Sequence, residues 1–193
     1  MNAAEYSIVV ASATDVRSLA EHWQREVVDN GRDGLWFSPY DPDEDAKPIT
    51  DERIAQISAA IERPLTEPMW QRVWTLRHRD APERVLGSLS LHGGRIVSEL
   101  HRCSLGMGIE PEHRGRRNGT ALVEAALAWA RATAQLSWVD LGVFAGNHRA
   151  KALYARAGFV VVGERRDAFR VRGVKITDVT MTLCLDEARG ATT

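Results

Sequence analysis

Residues 104–132 read SLGMGIEPEHRGRRNGTALVEAALAWARA, a strand, a basic glycine-bearing loop and a long helix in that order. Cys103, Leu105, Met107 and Ile109 alternate with Ser104, Gly106, Gly108 and Glu110, which is the period of a strand. Pro111 removes a backbone donor where that strand must end. Beyond the turn from His113 to Thr120, Leu122, Val123, Ala126, Leu127, Trp129 and Ala130 recur at helical spacing, so the helix begins inside the turn. Its free backbone N–H groups point back into the loop, where the positive end of the helix dipole coincides with them, and such a terminus attracts phosphate.

Downstream, Val139, Leu141, Val143 and Ala145 alternate with Asp140, Gly142 and Phe144 as a further strand. Asn147 is typed as the N-cap of a helix whose stripe is Ala150, Leu153, Tyr154 and Ala157, and Gly158 as the left-handed residue that ends it before Phe159. The segment 160–183 reads as a closing pair of strands around Arg172-Gly173.

These two stretches together resemble the GNAT acetyltransferase superfamily. Arg114, Gly115, Arg116, Asn118 and Gly119 fall into its acetyl-CoA-binding signature, Arg/Gln-x-x-Gly-x-Gly/Ala. Asn147, followed by Ala-x-x-Leu-Tyr and Gly-Phe, matches its second signature. Arg117 stands where the pattern has its first glycine. If that position needs a positive φ, the side chain is strained by about 1 kcal/mol, with one more cation for the phosphates as the gain. The resemblance is clear from about Val73 to Leu183. It implies an α/β (α+β) domain with a central, mixed, mostly antiparallel sheet, splayed central strands and flanking helices.

Upstream, Tyr6 to Ala11 reads as a first strand, and Thr14 or Asp15 can cap a helix through Val16, Leu19, Ala20 and Trp23 that Asn30-Gly31 breaks. Residues 34–52, GLWFSPYDPDEDAKPITDE, form a loop rich in aromatics, prolines and acids, and Thr50 or Asp51 caps a second helix that ends before Pro64. By the resemblance, Trp36, Phe37 and Tyr40 are candidate substrate-binding lid residues. The competing reading is an aromatic cluster that fastens an ordinary loop to the core. Trp70 to His78 and Arg84 to His92 read as an antiparallel hairpin around Asp80-Ala81-Pro82-Glu83.

The chain has 193 residues, 44% of them hydrophobic, enough for one well-buried domain and short for two, so a single domain over 1–193 is expected. A net charge of -1 gives no general basic surface, which argues against a nucleic-acid partner. No apolar run approaches membrane-spanning length, and the first residues lack a secretory pattern. A soluble, cytoplasmic protein without a membrane partner is therefore expected. Cys103 and Cys184 lie in strand-like apolar runs and make neither a disulfide framework nor a metal site.

The chemistry implied by the resemblance is acetyl transfer from acetyl-CoA, as co-substrate, to a primary amine of a small molecule. Such transfer requires a neutral amine, stabilisation of an oxyanion and a proton for the leaving thiolate. Met107, Gly108 and Ile109 would meet the pantetheine arm and the thioester, with an N–H near Met107 as oxyanion donor. Arg114, Gly115, Arg116, Arg117, Asn118, Gly119 and Thr120 would hold the pyrophosphate, and Asn147 would contact the arm. Tyr154 is the expected general acid, because a phenol with pKa near ~10 stays protonated at neutral pH. For the base, the glutamate that one branch carries five residues before the asparagine is Gly142 here. Asp140, Glu99 and His101 are the candidates in its place. With no cysteine in either signature, direct transfer in a ternary complex is expected. A protein or peptide N-acetyltransferase and a non-catalytic acyl-CoA sensor are the alternatives, and a homodimer is open.

Overall fold

The computed structural model describes residues 5–32 and 34–186. In chain order the elements are β1 (Tyr6–Val10), α1 (Val16–Asp29), α2 (Asp51–Glu62), β2 (Gln71–His78), β3 (Gly87–Gly93), β4 (Arg102–Ile109), α3 (Asn118–Ala132), β5 (Trp138–Phe144), α4 (His148–Arg156), β6 (Val160–Val171) and β7 (Val174–Cys184). The strands form one sheet in the order β1-β2-β3-β4-β5-β7-β6. Every neighbouring pair is antiparallel except β4 and β5, which run parallel. This is the mixed, mostly antiparallel sheet with flanking helices that the resemblance implies.

The two faces of the sheet follow from the alternation within each strand. On one face α3 buries Leu122, Val123, Ala126, Leu127 and Ala130 in the main core, and Trp129 stacks edge-on against Trp74 of β2 at 5.5 Å. Each fully buried Leu or Val of that stripe stabilises the fold by roughly 1.5–3 kcal/mol. On the other face α1 and α2 pack Val16, Leu19, Ala20, Ile57 and Ile61 against Val73 and Val85.

Local signals set the helix ends. Asp15 caps no N–H of α1, contrary to expectation: its carboxylate accepts from the Ser12 backbone N–H at 2.8 Å, closing the short turn before the helix, and from Arg77 at 2.6 Å, which ties that turn to β2. Thr50 caps α2 by accepting from the Arg53 N–H at 3.2 Å. Gly31, with φ 78, ends α1 where a Cβ would fall 2.6 Å from the Trp36 ring. The strand expected from Arg84 begins at Gly87 instead. Arg84 reaches away to Glu110 at 2.8 Å and the Val85 N–H turns to the Ser18 hydroxyl at 3.2 Å, so neither residue joins the ladder. Among the described residues no helix is long and apolar enough to cross a membrane.

Candidate active site

The sheet opens at the parallel junction of β4 and β5. β4 and β5 pair through Arg102–Trp138, Cys103–Val139 and Ser104–Asp140, and beyond those three rungs they diverge. β4 itself does not bulge: its register with β3 runs one to one from Gly87–Ile109 to Gly93–Cys103. Departure of β5 therefore makes the gap. The Glu110 N–H donates to Leu86 at 2.9 Å on the β3 side. Backbone N–H directions alternate along a strand, so Gly108 and Gly106 also face β3, and Met107 and Ile109 face the gap. An unpaired Met107 N–H at a strand edge is a donor for a ligand carbonyl or oxyanion.

The start of α3 stands at the mouth of this gap. Gly119 lies against Met107, Ile109 and Leu153 of α4: a Cβ there would sit 3.3 Å from Leu153 and 3.6 Å from the other two. Arg117 precedes the helix in the left-handed conformation, φ 63 and ψ 9, so the glycine position does require positive φ and an arginine adopts it. Gly115 also has positive φ, at 82, and Arg149 of α4 reaches to within 3.1 Å of where its Cβ would be. Arg116 and Arg117 are exposed, whereas Asn118 is buried and donates to the His113 carbonyl at 3.1 Å. Thr120 faces a groove between α3 and α4 that Val123, Leu153 and Arg156 also line.

Arg114 does not join the exposed cations. Its Nε donates to the Ile109 carbonyl at 2.7 Å and its guanidinium covers the Phe37 ring at 5.3 Å. It thus fastens residues 34–50 to the end of β4, and the cation the sequence did not single out for the loop is Arg149.

Tyr154 is buried on α4, edge-on to Phe159 at 5.8 Å, and burial pushes its hydroxyl pKa well above the ordinary value. It stays protonated at any physiological pH. Asn147 caps α4 by accepting from the Ala150 N–H at 3.1 Å, which leaves its amide N–H2 to donate elsewhere.

The opposite sheet face carries a cluster that the sequence reading missed. Gly108 faces α1 so closely that a Cβ there would lie 1.4 Å from Glu26 Oε1. His22, wholly buried one turn earlier, has Nε2 3.5 Å from Glu26 and Nδ1 3.4 Å from Glu110. Arg25 at 2.8 Å and Arg84 at 2.8 Å hold Glu110 from either side. Burial works to raise the Glu110 pKa, but hydrogen bonds from His22 and Arg25 and the charges of Arg25 and Arg84 outweigh it and lower it to about 2. Burial raises Glu26, and His22, Arg114 and Arg25 offset it only in part. Across the gap, Asp178 of β7 leans over Gly142, its Oδ1 3.0 Å from where a Cβ would stand. A carboxylate thus overlies each strand beside the opening. One available signal was His22 lying three residues after Leu19 on the inward stripe of α1.

The sequence candidates for the base lie elsewhere. Asp140 is held by Arg102 at 2.8 and 2.6 Å and by the Thr182 hydroxyl at 2.6 Å, on the last closed rung. Glu99 is exposed in a turn before β4, at the end of that strand remote from the gap, and accepts from the Arg95 N–H at 2.9 Å. His101 is exposed at the same remote end.

The aromatic loop is fastened over the face that carries Glu26 and Asp178. Buried Asn30 donates to the carbonyls of Ser38 and Tyr40 at 2.9 and 2.7 Å and accepts from the N–H groups of Phe37 and Ser38 at 3.0 and 3.2 Å. Trp36 packs on Phe144, Val171 and Ile176. Tyr40 keeps 54% of its surface exposed. Asp41, at 3.3 Å, and Asp43 both pair with Arg172 of the β6–β7 turn, so these acids are already matched to a cation of the chain itself.

Solved structures share this architecture. An acetyltransferase of the GNAT family from Streptococcus pneumoniae superposes with a TM-score of 0.79 at 20% identity, over 93% of this chain and 99% of that one. Spermidine N-acetyltransferase from Vibrio cholerae, in complex with CoA and spermine, gives 0.70 at 16%, over 94% and 96%. A phosphinothricin acetyltransferase from Sinorhizobium meliloti, in complex with acetyl-CoA, gives 0.74 at 16%, over 93% and 88%. At these identities the likeness is one of fold. Residues 36–159 match the model of the acetyltransferase (GNAT) family, and with that match spanning most of the chain, the protein belongs to the acetyltransferase (GNAT) family.

Proposed function

We propose that the chain, as one domain, transfers an acetyl group from acetyl-CoA to a primary amine of a small molecule. The observation that carries this reading is the coincidence of the β4–β5 opening, the outward Met107 N–H and the α3 N-terminus at one end of the sheet. The pyrophosphate would rest on the N–H groups around Gly115 to Thr120, with Arg116, Arg117 and Arg149 as surrounding cations. Asn147 and the open edge of β4 would meet the pantetheine arm. The thioester carbonyl would take the Met107 N–H, and Tyr154 would return a proton to the departing thiolate.

Direct transfer is favoured because burial, the largest influence, pushes the Cys103 thiol up to about 12, too high for a useful thiolate. A small acceptor is favoured by the fastened 34–50 loop, since a polypeptide would have to pass beneath Asn30, Trp36 and the Arg172 pairs. Glu26 and Asp178 on the acceptor face favour a cationic amine.

The test is acetyl-CoA-dependent thiol release against free amino acids, polyamines, aminoglycosides and short peptides, with CoA binding followed by calorimetry. Release with one class of small amine is expected. Binding without release on any amine would point to a sensor, and absence of binding would refute the site.

A further inference from the structure

We infer that Glu26 takes the proton from the acceptor amine and that His22 and Glu110 form the line along which it leaves. This rests on the reading of the site just given. Three features place Glu26 at the reaction. Its carboxylate lies directly on the backbone of Gly108, and the next residue back, Met107, turns its N–H to the gap. The carboxylate stands on the face of β4 opposite α3, so an amine arriving there meets a thioester held from the α3 side. Its side chain keeps 16% of its surface exposed, whereas the His22 side chain keeps none.

The second set of observations concerns what lies behind it. Glu26 Oε1 and His22 Nε2 are buried, 3.5 Å apart, and neither has a hydrogen-bond partner among the described residues. Buried polar atoms are ordinarily satisfied, so a facing pair left unpaired calls for an explanation, and proton exchange between them is one. His22 Nδ1 meets Glu110 at 3.4 Å, and Glu110 lines an open cavity of about 510 Å³ outside α1 together with Arg25, Arg84 and His113. The line therefore runs from the acceptor face to solvent. The charged groups around it are His22 and Arg25 on α1, Glu110, His113 and Arg114 beyond β4, and Arg84 before β3. Burial holds Glu26 above the ordinary carboxylate range, toward the pH at which a base must work.

The proton balance is complete. The substrate ammonium loses one proton to Glu26, and its nitrogen lone pair forms the C–N bond to the acetyl carbon. As the C–S bond breaks, the thiolate takes the Tyr154 proton, and the second proton shed by the nitrogen restores the phenol. One proton remains on Glu26. It passes to His22 Nε2 as Nδ1 releases another toward Glu110 and solvent, so one proton leaves per amide formed.

The experiment compares the whole chain with E26Q, E26D and H22Q, using acetyl-CoA and the panel amine that turns over fastest, across pH from about 6 to about 10. E26Q should lose about 100-fold in kcat near neutral pH, with acetyl-CoA affinity by calorimetry unchanged. The deficit should shrink as the pH passes the amine's own pKa, where no base is needed. E26D should keep the wild-type profile at intermediate kcat, and H22Q should move the profile with KM for the amine unchanged. An E26Q loss under about threefold, or equal at every pH, overturns the inference. If E26Q does not fold by circular dichroism, E26D and H22Q decide it: wild-type profiles in both overturn it. Absence of turnover by the wild-type protein on every amine condemns the acetyltransferase reading itself, whereas an active wild type with a pH-independent E26Q loss condemns only Glu26.

Discussion

Arg102 forks onto Asp140, Nε at 2.8 Å and Nη2 at 2.6 Å, on the strands whose pairing ends at Ser104–Asp140. The Thr182 hydroxyl adds a third bond from β7 at 2.6 Å. Three strands are thus joined where the opening begins, so the divergence of β5 starts from a fixed point. Asp140→Asn should cost about 1 kcal/mol, discounted because both side chains are about a third exposed. The matching fall in Tm is about 2–4 °C, measured by calorimetry. The pH–rate profile should stay in place; loss of its acidic limb would make Asp140 the base.

Arg117 adopts φ 63, a conformation that costs an L residue about 1 kcal/mol and glycine little. Arg117→Gly should therefore raise stability by up to about 1 kcal/mol in urea unfolding. CoA should still bind, with a shallower dependence of affinity on salt, because one cation near the phosphates is gone. An unchanged salt dependence would make the guanidinium a bystander.

Tyr154→Phe should lower kcat by about 10- to 100-fold while acetyl-CoA affinity changes less than about twofold. Burial keeps the hydroxyl protonated, so no loss of a basic limb should accompany the change. Equal losses in turnover and affinity would mean that the ring packs and does not donate.

Glu26 and Glu110 should act on stability in opposite directions. For Glu26 the folded pKa is raised above 4.5, so folded protein binds the proton more tightly than the unfolded chain. Stability falls as pH rises through that window and stays lower above it. Glu110 is lowered from 4.5 to about 2, so its contribution is full above the unfolded value and is lost as pH falls toward about 2. Glu26→Gln should accordingly stabilise the protein near pH 7 while it lowers activity, a gain that vanishes in acid. Unfolding curves of both proteins at several pH values check this.

Arg172 holds the 34–50 loop through Asp41 and Asp43. Arg172→Ala should raise KM for the amine several-fold and leave acetyl-CoA affinity unchanged. Equal weakening of both would place the loop against the cofactor instead of the acceptor.

The fold was legible because its signals are local. Alternation around Met107, the apolar stripe from Leu122 to Ala130, the Asn147 cap and the Gly158 stop each depend on residues a few positions apart. Even the strained turn could be read, since a missing glycine at position 117 states its own cost in φ. The role of Arg114 was not legible. Its side chain engages the Ile109 carbonyl and the Phe37 ring, and Phe37 lies far away in the chain.

The sequence by itself determined the order of elements, the glycine-bearing turn before α3, and the Thr50 and Asn147 caps. Periodicity and backbone chemistry act over one or two turns of chain, within reach of a linear reading. Only the tertiary structure decided which carboxylate stands where. Glu26 and Gly108 are brought together by the packing of α1 on β4, and Asp178 and Gly142 by the pairing of β7 with β5. In both cases the sequence recorded only a glycine. The space that glycine leaves is filled by a side chain from a remote segment, and long-range packing, which no local pattern encodes, selects that side chain.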